Sequence, residues 1–291
     1  MSLLAPMQLL SSFFESHKSF LSKKYPGINL SRLENELNYF LGTNFNYSIS
    51  QTESFLECLS RGLPLEQINH SAYFYRSQFY INENVLIPRS ETEILVEKSI
   101  DYINTHFRDA VSVCDVGTGT GAIILSVISE IETRNIKACA SDISEKALEV
   151  ARINYFRSRL ERRENFELSF SLSDRLESIE ENFDVILSNP PYIKEDTDRS
   201  KVHGQVHEYE PHLALYLKDV EYDSWFDELF SQVDNSLNMG GLFLMEGHED
   251  HLQYLREAFI KSVKQINYNN IELIEDYTGR TRFLWATKKK S

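Results

Sequence analysis

A six-residue, largely apolar stretch at 111–116 passes directly into Gly117-Thr118-Gly119-Thr120-Gly121, and this junction constrains the fold most. Val111, Val113, Cys114 and Val116 make it a strand buried on both faces, with Asp115 near its end. Alternating glycines let the backbone turn tightly and approach a ligand closely. Ala122, Ile123, Ile124 and Leu125 then read as the start of a helix. The turn therefore lies at the carboxyl end of a first strand, where doubly wound sheets bind their ligands. Its spacing is Gly-x-Gly-x-Gly, not the Gly-x-Gly-x-x-Gly of dinucleotide enzymes. Close strand–helix packing also asks for glycine, so the run alone names no ligand.

From residue 91 onward, strand and helix patterns alternate. Strands are predicted over 111–116, 137–141, 166–172, 183–188, 242–245, 271–275 and 281–286. Helices are predicted over 91–107, 122–131, 144–160, 222–237 and 250–263, with Ser144 as an N-cap. This order predicts an α/β fold with a Rossmann-like, doubly wound, mostly parallel sheet. Residues 1–72 instead show helical spacing, as in Leu9, Leu10, Phe13 and Phe14, then Leu33 and Leu37, with Asn29 or Ser31 as a cap and Gly42 as a stop. Between them, Tyr73, Tyr75, Phe79 and Ile81 precede Asn82-Glu83-Asn84, and Val85, Leu86 and Ile87 follow. This predicts a linking β-hairpin over 73–88 that turns at the asparagines. The expected division is a helical recognition domain (1–72), the hairpin (73–88) and a catalytic domain (89–291).

The net charge of −14 argues against wrapping bare DNA or RNA, so direct nucleic-acid binding is not expected. No run of 18 apolar residues suggests a membrane span, and residues 1–10 lack the basic start of a signal peptide. Three widely spaced cysteines, Cys58, Cys114 and Cys139, read as reduced thiols in a cytoplasmic protein. A monomer is expected.

Two further positions point to chemistry. Asp142 ends the second strand about 20 residues past the glycines, where a carboxylate accepts both ribose hydroxyls of a nucleoside. The plainer reading is that Asp142 caps the next helix. Asn189-Pro190-Pro191-Tyr192 follows the apolar strand 183–188. Two prolines stiffen the turn and remove two backbone donors, leaving carbonyls to face a site. With the Asn189 side-chain carbonyl they offer two acceptors for the two N–H bonds of a planar NH2 group. Such a nitrogen is a poor nucleophile. Gripping both hydrogens aligns it with an electrophilic methyl group and stabilises the charge that grows on it. The expectation is S-adenosylmethionine-dependent methylation of a planar nitrogen, with Asn189, Pro190 and Tyr192 as the catalytic group and Pro191 beside them. Adenine, guanine and glutamine all remain open on this chemistry.

The chain resembles the glutamine N5-methyltransferases that modify peptide release factors, the HemK-like group. The resemblance rests on Arg61-Gly62-Leu63-Pro64, on Leu86-Ile87-Pro88-Arg89-Ser90-Glu91-Thr92-Glu93 and on the glycine, Asp142 and Asn189-Pro190-Pro191-Tyr192 positions. Glu210-Pro211-His212-Leu213-Ala214-Leu215 and Asp276-Tyr277-Thr278-Gly279-Arg280-Thr281-Arg282 extend it. It implies a class I S-adenosylmethionine-dependent methyltransferase fold. Gly117, Thr118, Gly119, Thr120, Gly121, Asp142, Thr92 and Asn189 would hold the cofactor. Asn189 and the Pro190 carbonyl would hold the substrate amide, with Tyr192 walling the pocket. The implied partner is a class I release factor, modified at the glutamine of its Gly-Gly-Gln loop. One departure falls after Ser173-Asp174, where the family often has an aromatic residue near the adenine. Arg175 stands there, so it is the expected contact on that side.

Alternatives are an amino-methyltransferase of nucleic acid, a glutamine methyltransferase of a ribosomal protein, and a module that binds without catalysis. His203, His207 and His212, and His248 with His251, are expected to be surface or loop histidines rather than metal ligands, because neither set is complete. Glu246 ends a core strand and is expected either to contact substrate or to anchor a loop.

Overall fold

The structure is a computed structural model, and it describes residues 4–42, 49–263 and 265–290. The chain opens with helices α1 (Leu4–Lys24), α2 (Leu30–Leu41), α3 (Ile49–Arg61) and the short α4 (Leu65–Ile68). Leu10, Leu21, Leu33, Leu37, Phe55 and Leu59 bury their side chains together as the core of this unit. Asn29 caps α2 by accepting the Arg32 N–H, and Gly42 ends it at φ 72°. That is one of the two predicted caps, and the predicted stop.

Strands β1 (Ser71–Phe74) and β2 (Ser77–Tyr80) form the antiparallel hairpin. Here the structure corrects the sequence. The hairpin turns at Tyr75-Arg76, with Tyr75 at φ 54°, and not at Asn82-Glu83-Asn84. The Tyr75 N–H is taken by the Glu93 carboxylate at 2.9 Å. Asn82 does make a turn, its Oδ1 accepting the Asn84 N–H at 3.0 Å, but no returning strand follows. Val85 and Ile87 pack instead against Ala147 and Val150 of the later helix α7.

The chain continues with α5 (Glu93–His106), β3 (Ala110–Val116), α6 (Ala122–Glu130), β4 (Asn135–Asp142), α7 (Glu145–Ser158), β5 (Phe166–Leu172) and β6 (Phe183–Ser188). Then come β7 (Ile193–Lys194), α8 (Gly204–Tyr209), α9 (His212–Leu215), β8 (Tyr216–Leu217), α10 (Tyr222–Ser236), β9 (Leu237–Glu246), α11 (Glu249–Ser262), β10 (Tyr268–Glu275) and β11 (Thr281–Lys288). One seven-stranded sheet has the order β10-β11-β9-β6-β3-β4-β5. Its pairs are parallel from β9 to β5, while β11 runs antiparallel to both neighbours.

Strand residues alternate between two cores, as a period of two requires. Val113, Val185, Leu187, Leu242 and Leu244 face α5 and α6. Cys114, Ile186, Phe243 and Met245 face α10 and α11. Helices thus cover both faces. All three cysteines are free. Among the described residues, no helix is long and apolar enough to cross a membrane.

This winding positions the site. From β3 the chain steps outward to β4 and β5, then returns to place β6 on the other side of β3. The loops after β3, β4, β5 and β6 therefore share one edge, at the point where strand order reverses. The segment carrying α8 and α9 spans from that edge to the helical unit. Gln67 donates to the Tyr209 carbonyl at 2.8 Å, and Gln205 donates to the Gly62 carbonyl at 2.8 Å.

Candidate active site

Two cavities meet at this edge. The larger, about 300 Å³, is lined by the β3 loop, Asp142, Ser173 to Arg175 and the Asn189-Pro190-Pro191 turn. The smaller, about 270 Å³, is lined by Tyr192, Ile193, Val206, Leu215, His248 and Arg282 among others. Asn189, Pro190, Arg89, Leu86 and Ala214 line both, so they form the wall between the two.

Within the glycine loop, Gly117, Thr118, Gly119 and Thr120 line the larger cavity. Gly117 and Gly119 adopt φ of 73° and 54°, and a Cβ on either would meet no atom within 4 Å. Their open side forms a cradle for a ligand that backbone can approach. Gly121 does not line the cavity. It caps α6 at φ 78°, and a Cβ there would press on Leu125 and Ala151 at 3.2 and 3.3 Å. Its role is packing.

The cap of α7 is Ser144 and not Asp142. Asp142 lines the cavity, accepts the Gly119 N–H at 2.9 Å through one oxygen and accepts the Ser144 N–H at 2.9 Å through the other. Burial pushes its carboxyl up, and these backbone donors hold it back. Each oxygen keeps a further lone pair, so two hydroxyls can still be accepted. Deeper in the sheet, burial raises Asp115 to about 7, against the opposing hydrogen bond from Thr118 at 2.7 Å.

Arg175 lines the larger cavity, yet its guanidinium turns to other partners. It pairs with Glu228 and with Asp174 (3.2 Å), and it lies 5.0 Å over the Trp225 ring. Trp225 lines the same cavity. Sequence reasoning missed this residue for a physical reason. It stands one turn from Tyr222 and Leu229, on the stripe that buries α10, so periodicity reads it as core. Its neighbour Phe226 is fully buried while Trp225 is only half-buried.

The Asn189-Pro190-Pro191-Tyr192 turn is held by a hydrogen-bonded chain. Asn189 donates its side-chain N–H to the Thr92 hydroxyl at 3.1 Å. Thr92 donates to Glu246 at 2.6 Å, and the Tyr192 hydroxyl donates to the other Glu246 oxygen at 3.2 Å. Thr92 lines the larger cavity, but its hydroxyl is committed to this chain. Tyr192 lines the smaller cavity only. Glu246 lies buried behind both, which makes it an anchor. Burial pushes its carboxyl up, while Thr92, Tyr192 and the Arg282 cation hold it back.

The histidines serve local structure. His203 and His248 accept backbone N–H groups at the starts of α8 and α11. His251 bonds to Asp198 at 2.7 Å, His207 to the Tyr216 hydroxyl at 3.0 Å, and His212 to the His207 carbonyl at 2.9 Å. Among the described residues, no group of His, Cys, Asp and Glu is arranged to hold a metal ion.

Comparison with known proteins places the chain in a family. The family model described as Methyltransferase small domain matches residues 92–213. A curated release factor glutamine methyltransferase of Leptospira interrogans is 34% identical over 263 residues, covering 90% of this chain and 87% of the relative. One from Koribacter versatilis is 38% identical, covering 79% of this chain and 76% of the relative. The chain belongs to the release factor glutamine methyltransferase family. It is therefore a methyltransferase enzyme. The hMettl16 catalytic domain is similar in fold, with a TM-score of 0.52 at 14% identity, over 73% of this chain and 75% of that one. The Asn189-Pro190-Pro191 turn lies within the span matched by the family model.

Proposed function

We propose that this enzyme transfers the methyl group of S-adenosylmethionine to the side-chain amide nitrogen of a protein glutamine, the Gly-Gly-Gln glutamine of class I release factors. The observation that carries the reading is Asn189, standing in the wall shared by the two cavities with its N–H turned to Thr92. That bond leaves the Asn189 carbonyl oxygen to accept from a substrate N–H. The Pro190 carbonyl is the second acceptor in this reading. Family names in the relatives narrow the planar nitrogen to glutamine.

The residues present fit the cofactor. When bound, S-adenosylmethionine supplies a methyl group on a sulfonium, ready for displacement by nitrogen. Gly117 and Gly119 give it an open backbone cradle, Asp142 accepts its ribose hydroxyls, and the Trp225 ring braced by Arg175 faces its base. The helical unit, 1–72 in this reading, docks the protein substrate, and the α8–α9 segment joins that unit to the site. The enzyme acts as a soluble cytoplasmic monomer.

Mass spectrometry of release-factor tryptic peptides, with and without this enzyme, tests the substrate. A mass increase of one methyl group on the Gly-Gly-Gln peptide is the expected result, and an unmodified peptide overturns it. Asp142→Ala tests the cofactor site. Losing charge-assisted hydrogen bonds worth about 1.5–3 kcal/mol should weaken cofactor binding by roughly 10- to 100-fold in calorimetry. Unchanged affinity would remove Asp142 from the ribose role.

A further inference from the structure

We propose that Thr92 and Glu246 are positioning residues for methyl transfer, and that their hydrogen-bond chain sets which way the Asn189 amide points. The inference rests on the amide-gripping role given to Asn189 above. An asparagine amide has a donor end and an acceptor end of nearly equal shape, so packing alone distinguishes them poorly. Only the acceptor end can receive an N–H from a substrate NH2 group. The reversed amide would set two NH2 groups against each other.

The chain has a direction. Glu246 ends β9 with its side chain buried, and it accepts from Thr92 at 2.6 Å and from Tyr192 at 3.2 Å. Thr92 has a single hydroxyl proton, and it is donated to Glu246. The Thr92 oxygen is then an acceptor toward Asn189, and only the Asn189 N–H end satisfies it, at 3.1 Å. Reversal would bring two acceptors together in a buried place, which is strongly unfavourable. The polarity thus originates at Glu246, two hydrogen bonds from the amide it orients.

The chain also draws on three separate parts of the fold. Thr92 enters from the turn before α5, Asn189 from the end of β6, and Glu246 from the end of β9, the parallel neighbour of β6. Tyr192 shares the same anchor, so the turn is held at both its first and its last residue.

Thr92→Val keeps shape and removes the hydroxyl. It should lower kcat by ~10- to 100-fold, as misplacement of a reacting group does, while cofactor affinity stays near wild type. Thr92→Ser restores the hydroxyl without the methyl group and should recover most of the rate. Glu246→Leu removes the source of polarity and should lower kcat in the same way, giving a second arm if Thr92→Val does not fold. Independently of turnover, the Asn189 side-chain NH2 resonances should show slow hydrogen exchange in the wild type and fast exchange in Thr92→Val.

Wild-type kcat in Thr92→Val, or a Thr92→Ser variant as impaired as Thr92→Val, overturns the proposal. So does an unchanged exchange rate at Asn189. Failure of the substrate reading looks different: the wild type would leave the release-factor glutamine unmodified. The Asn189 resonances would still decide the hydrogen-bond chain.

Discussion

Asn189→Ala should lower kcat by ~10²- to 10³-fold, the usual effect of deleting one preorganised partner of a charge that develops in the transition state. Cofactor affinity should stay nearly unchanged, because Asp142 and the glycine loop remain. Ground-state affinity for the protein substrate should also change little, since one amide contact is a small part of a protein docking surface. The Asn189 side chain is not part of the buried core, so the melting temperature should hold. The Pro190 carbonyl survives the substitution and should support a residual rate. Single-turnover kinetics with a release factor, alongside calorimetry with the cofactor, make the check. A variant that turns over like the wild type would sink the amide-gripping mechanism.

Glu210→Ala should have the second largest effect, and its effect is first on stability. The Glu210 side chain is 1% exposed; it pairs with Arg89 at 2.5 Å and accepts the Ile87 N–H at 3.0 Å. Ile87 is itself buried, so removing the carboxylate leaves an orphaned backbone donor, which costs about 1–3 kcal/mol. Breaking a fully buried ion pair costs about 3–5 kcal/mol. Arg89 keeps a third of its side chain exposed and can rehydrate, so the sum should fall near 3 kcal/mol rather than at the top of that range. Arg89 also lines both cavities, and the segment runs on to Thr92, so kcat should fall with stability. Denaturant unfolding gives the first number, and an unchanged midpoint would refute the role. Glu210→Gln can still accept the Ile87 N–H and should lose less than half as much.

Much of the fold was legible in the sequence because it is written locally. The runs 166–172 and 183–188 are strands at those limits, and Ser144 caps α7 by accepting the Ala147 N–H. Where the sequence misled, a backbone donor had a distant partner. Asn82-Glu83-Asn84 carries a true turn signal, but the Ile87 N–H goes to Glu210, 123 residues away, and not to a neighbouring strand. Trp225 was hidden for a related reason. Periodicity distinguishes a helix face turned inward from one turned outward, and it cannot tell a core from the wall of a cavity.

The Asn189-Pro190-Pro191-Tyr192 turn divides in the same way. Sequence alone determined that two acceptors can sit at the end of a strand beside a glycine loop, since residue type and order specify both. Which end of the Asn189 amide turns to Thr92, and which is left free, was decided only by tertiary structure. Thr92 lies 97 residues from Asn189, and Glu246 lies 154 from Thr92. Hydrogen bonds across such separations depend on which strands become neighbours, here β6 beside β9, and that is set by the packing of the whole sheet rather than by any local pattern.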